Sequence, residues 1–118
     1  MINLLVDEAY AFDYLSILEI KKNKNPQNYA TWFSCYTYLQ NQFNNKKWSQ
    51  IISSEEYKDM IKANELTFDA VDKAKNNEVT AKDVDYCNFQ RYLAKQKFQS
   101  KFFNNNLNET KIGYEKYS

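Results

Sequence analysis

From Ser53 to Phe103, apolar and semi-polar side chains recur every three or four residues. This is the period of helices that pack on other helices. Tyr57, Ile61, Asn64, Phe68 and Val71 form one seam, flanked by Met60, Thr67 and Ala74. Ser53 is placed to cap this helix, with Glu56 closing a capping box and Ile52 stapling to Tyr57. Asn76-Asn77-Glu78-Val79 then breaks the register, and Thr80 with Asp83, and Val79 with Val84, repeat the same start signal. A connection this short sets neighbouring helices antiparallel. The second helix should run to Phe103, with Val84, Cys87, Ala94, Phe98 and Phe102 on one face. Tyr86, Phe89 and Leu93 give it a second apolar ridge, so it is expected to touch two neighbours.

Ahead of this hairpin the spacing predicts two more helices. Residues 2–22 are apolar almost all round, the pattern of a helix buried on more than one side. A helix over 26–43 starts from Asn25 as cap with Pro26 at its first position. Its stripe is Tyr29, Trp32, Phe33, Tyr36, Leu39 and Phe43, and Trp48, Ile51 and Ile52 read as a short apolar turn. Strict two-residue alternation is missing almost everywhere, and one Gly and one Pro leave little turn chemistry for a sheet. The expected fold is an all-α bundle of about four main helices, near 2–22, 26–43, 53–76 and 80–103, in a single domain spanning 1–118. The tail, 104–118, carries Leu107, Ile112, Tyr114 and Tyr117 and is expected to lie extended or to dock on a partner. Two ridges on the last helix and the aromatic second helix exceed what a small bundle covers, so a homodimer is expected.

Charge changes the picture locally. Residues 1–20 carry four acids, Asp7, Glu8, Asp13 and Glu19, and no base. From Arg91 to Phe103 there are four bases, Arg91, Lys95, Lys97 and Lys101, and no acid. A buried carboxylate needs a partner, so the first helix should pack on the C-terminal half of the last, with at least one such pair formed. Asp7, Glu8 and Asp13, with Tyr10 and Tyr14, could instead line a polar pocket. The net charge of +1 shows no bias toward nucleic acid or an anionic membrane. Asp7 and Glu8 break the initial apolar run, and no uncharged stretch is long enough to span a bilayer. A cytoplasmic protein is expected, with Cys35 and Cys87 reduced on apolar faces.

The chain has no histidine, which removes the commonest general base and metal ligand, and a single glycine excludes a phosphate loop. Carboxylates remain. Glu55, Glu56 and Asp59 spell E-E-x-x-D, and Asp69 with Asp72 spells D-x-x-D. This resembles the acidic signature of the all-α MazG-type nucleotide pyrophosphohydrolases, which implies Mg²⁺ held by those five residues; oxygen-only ligands suit that hard cation. The chain departs from the family in two ways: no break separates Asp59 from Asp69, and the last pair begins with Asp instead of Glu. The lysines alternating along this helix make a solvated charged face the plainer reading. Arg91, Lys95, Lys97 and Lys101, interleaved with Tyr92, Phe98, Phe102 and Phe103, resemble a strip that holds single-stranded nucleic acid by stacking and charge. With so few of the usual catalytic parts, the expectation is a non-enzymatic interaction or assembly protein working through helix faces. Val6 to Glu19 and Asn76 to Tyr86 resemble small uncharacterised proteins of marine tailed phages and ocean metagenomes. That resemblance implies a virion-accessory or host-modulating role and carries no site residues.

Overall fold

The computed structural model describes residues 1–108. They form α1 (Glu8–Lys24), a 3-10 turn (Pro26–Asn28), α2 (Tyr29–Gln40), α3 (Asn45–Ile52), α4 (Glu55–Lys75) and α5 (Ala81–Phe103). There is no strand among the described residues. The fold is the expected all-α bundle, with the predicted turn around Trp48 completed into a short fifth helix.

The hairpin closes as its sequence requires. Asn77 takes a positive φ of 59°, the Glu78 N–H donates to the Lys73 carbonyl, and the Asn77 N–H donates to the Ala74 carbonyl. These are the two bonds of a Schellman stop. Thr80 and Asp83 then form the predicted reciprocal capping box at the start of α5. Tyr57, near the start of α4, lies 6.5 Å ring to ring from Phe98, near the end of α5, so the two helices run antiparallel.

Three boundaries differ from the sequence reading. Ser54, not Ser53, caps α4, its side chain accepting from the Tyr57 N–H. Ser53 is occupied in ending α3: its N–H and hydroxyl both donate to the Ser49 carbonyl. The first helix begins after Asp7, and residues 1–7 form an irregular arm. In α2 the Asn25 cap and Pro26 start hold, but the first turn is 3-10 and the helix ends at Gln40. The inward line of α4 is Tyr57, Met60, Asn64, Thr67 and Ala70, while Ile61, Phe68 and Val71 are only half-buried. Cys35 and Cys87 are free, and both are half-buried, not core.

Phe12 of α1 sits at the centre of the core. Its ring lies 5.0 Å from Phe98, 5.7 Å from Trp48, 5.9 Å from Phe43 and 6.2 Å from Tyr57. One residue thus joins α3, α4, α5 and the α2–α3 link around α1. Lys47 closes the far end of the bundle, donating to the Phe102 carbonyl at 2.9 Å near the rings of Phe102 and Phe103. A cation there also complements the negative end of α5.

Candidate functional site

The acids of α1 are tied into the bundle. Asp13 is buried, and each carboxylate oxygen has its own partner: Oδ1 accepts from Asn64 of α4 at 2.9 Å, and Oδ2 accepts from Arg91 of α5 at 3.1 Å. Asn64 also donates to the Ser16 hydroxyl at 2.7 Å. Asp13–Arg91 is the expected pairing between the first and last helices. Glu8 instead accepts from the Gln99 amide, whose Oε1 in turn accepts from the Ala9 N–H at the start of α1. Asp7 accepts from the N–H and side-chain amide of Asn108, at 2.7 and 2.8 Å, and so fixes the beginning of α1 to the chain leaving α5. Leu107 packs on the core beside it; the rest of the expected tail lies outside the described residues. Glu19, half-buried, has its carboxyl raised, first by burial and further by Glu65, with Lys22 opposing.

The five carboxylates Glu55, Glu56, Asp59, Asp69 and Asp72 all lie on α4. Glu56 is half-buried and the other four are exposed, and Glu55 pairs loosely with Lys58 at 3.7 Å. At the helical rise, Asp59 and Asp69 stand roughly 15 Å apart along the axis. Among the described residues, no group of three or more acids, cysteines or histidines is arranged to hold a metal ion. The four bases of α5 do not form one outward strip. Arg91 turns in to Asp13 and Asn88, and Lys95 is buried with its ammonium 4.3 Å from the Tyr10 ring centre. Lys97 and Lys101 are exposed.

A groove of about 840 Å³ runs between the N-terminal arm, α1 and α2. Ile2, Leu4 and Val6 of the arm form one wall, Tyr10 and Tyr14 of α1 the floor, and Cys35 and Tyr38 of α2 the other wall. None of its lining side chains is charged. Burial pushes the Cys35 thiol up, which disfavours its thiolate. Tyr14 is 54% exposed and Tyr38 62%, while Ile2 and Leu4 are 89% and 77% exposed. The expected polar pocket is reduced to Asp7 and Tyr10, which line a smaller depression of about 370 Å³ beside Asn108.

Helical periodicity does not reveal this groove, although the sequence carries one signal of it. Residues 25–45 contain no Asp, Glu, Lys or Arg. A peripheral helix normally carries charge on its outer face. In α2 only Leu39 is fully buried, and the outer positions are tyrosine, phenylalanine, threonine and serine.

These features define a small helical bundle with an open, uncharged, aromatic-lined groove. Among the described residues, no helix is long and apolar enough to cross a membrane. Comparison with protein families, curated proteins and solved structures finds no match.

Proposed function

We propose that the chain is a non-enzymatic interaction protein, and that the groove between the arm, α1 and α2 is its contact surface. One observation carries this reading: a large apolar concavity stays open to solvent while Glu8 and Asp13 of α1 and Arg91 and Lys95 of α5 are engaged within the bundle. Contiguous apolar surface of this kind on a small protein marks a binding site for another apolar surface. The lining includes the hydroxyls of Tyr14, Tyr38 and Ser34. Tyrosine offers apolar area and a hydrogen bond at little entropic cost, which suits a protein contact.

Panning a random peptide library against the immobilised protein tests the proposal. Apolar, uncharged peptides should be enriched, and they should lose binding to the double variant Tyr14→Lys with Tyr38→Lys. Failure to enrich any sequence, or equal binding to the variant, would overturn it.

A further inference from the structure

Building on the interaction reading above, we infer that the occupant of the groove is the N-terminal arm of a second copy of this chain. The exchange is reciprocal, each arm lying against Tyr14 and Tyr38 of the other copy.

The arm has the chemistry of a docking segment. It is anchored at Asp7 by the two hydrogen bonds from Asn108, and beyond that anchor Ile2 and Leu4 are almost wholly in water. The groove has the complementary chemistry, with no charged side chain in its lining. A charged segment entering it would lose its hydration without a partner, at a cost of several kcal/mol. The side chains of residues 1–6 carry no charge, so an arm that lies in the groove with its α-amino group left in water avoids that cost, and a net charge of +1 gives two copies little mutual repulsion.

The area also fits. Rings of about 150–250 Å² that are 37%, 54% and 62% exposed at Tyr10, Tyr14 and Tyr38 leave roughly 300 Å² of surface. Burying Met1, Ile2, Leu4 and Val6, at roughly 60–120 Å² each, adds about as much again. The total of roughly 600–700 Å² exceeds the largest patch of most monomers and approaches the ~800 Å² per partner of a stable complex. Reciprocal exchange covers both the arm and the groove of each copy in one closed, two-fold contact.

Sedimentation equilibrium of the full chain, carrying no tag at its N-terminus, tests this from low to high micromolar concentration. The mass should rise from 14.1 kDa to twice that value. An arm variant (Ile2→Lys with Leu4→Lys) and a groove variant (Tyr14→Lys with Tyr38→Lys) should each weaken pairing by at least about tenfold. Circular dichroism checks that both keep the helical fold. An equimolar mixture of the two should regain part of the pairing, because in each mixed pair the unaltered arm of one copy can displace the altered arm of the other and meet its unaltered Tyr14 and Tyr38. Wild-type protein that stays monomeric throughout would overturn self-pairing, and peptide binding lost in the groove variant would still stand as support for the interaction surface. A dimer that survives both variants would also overturn the exchange.

Discussion

Replacing Asn64 with alanine removes the amide that joins α1 to α4. The residue is 1% exposed and donates to Asp13 and Ser16 at 2.9 and 2.7 Å. A hydrogen bond to a charged group is worth about 1.5–3 kcal/mol and a neutral one about 1 kcal/mol. The loss of both is partly offset, because Asn64 Oδ1 is buried without a partner and its removal recovers about 1–2 kcal/mol of desolvation. The small void left behind costs about another 1 kcal/mol. The net destabilisation is about 2–3 kcal/mol, a large share of the ~5–15 kcal/mol that holds a domain together. For a chain of this length the melting temperature should fall by about 10 °C. Urea unfolding gives the energy directly. A second variant, Arg91→Met, strips the other oxygen of the same carboxylate. The two should therefore be non-additive by about 1 kcal/mol or more in a double-mutant cycle. A change below ~0.5 kcal/mol for Asn64→Ala, in the range of ordinary surface substitutions, would refute the network. So would strict additivity with Arg91→Met.

Three further variants probe separate parts of the fold. Tyr57→Phe removes a buried hydroxyl that has no partner and whose ionisation is strongly opposed by burial, so stability should stay level or rise by about 1 kcal/mol; a comparable loss would show a hidden partner. Thr80→Ala removes the side-chain cap of α5 and should cost about 1 kcal/mol in chemical denaturation, with earlier exchange of the first-turn amides; unchanged exchange there would contradict the capping role. Glu19 has its folded pKa raised, chiefly by burial, so its carboxyl favours folding most when protonated, below its unfolded value near 4.5. That contribution is lost as pH rises through the folded pKa, so Glu19→Gln should gain more in melting temperature at pH 7 than at pH 4. An equal gain at both would count against the burial effect.

Where local chemistry was unambiguous, sequence and structure agree. Thr80 and Asp83 offered one capping frame, and α5 starts there. Asn25-Pro26 offered one start, and the second helical segment begins there. Ser53-Ser54 offered two adjacent frames, and the choice fell to tertiary context: once Asn45–Ile52 coils into α3, Ser53 is consumed as its last cap and only Ser54 is left to start α4. The helix α3 is not legible in the sequence, because eight residues with two buried side chains, Trp48 and Ile51, carry too little periodicity to be told from a turn. Hydrophobicity alone extends the first helix over residues 2–6, yet among the described residues these side chains stay exposed and Asp7 takes the cap position, so α1 starts at Glu8. The Asp13–Arg91 pair was foreseeable from the segregation of acids and bases, but Gln99 answering Glu8 was not. An amide leaves no mark on a charge map. The groove is the largest omission, since exposure is a property of neighbours. Its one trace in the chain is the uncharged run from 25 to 45.

The claim that this uncharged groove is the working surface can be tested most directly with a neutral solvatochromic dye such as Nile red. The native protein, diluted to where any pairing dissociates, should bind the dye with a blue-shifted, brightened emission. Tyr14→Lys with Tyr38→Lys should abolish that signal and leave the melting temperature within a few degrees of wild type. A dark native protein, or a double variant that stays as bright, would contradict it.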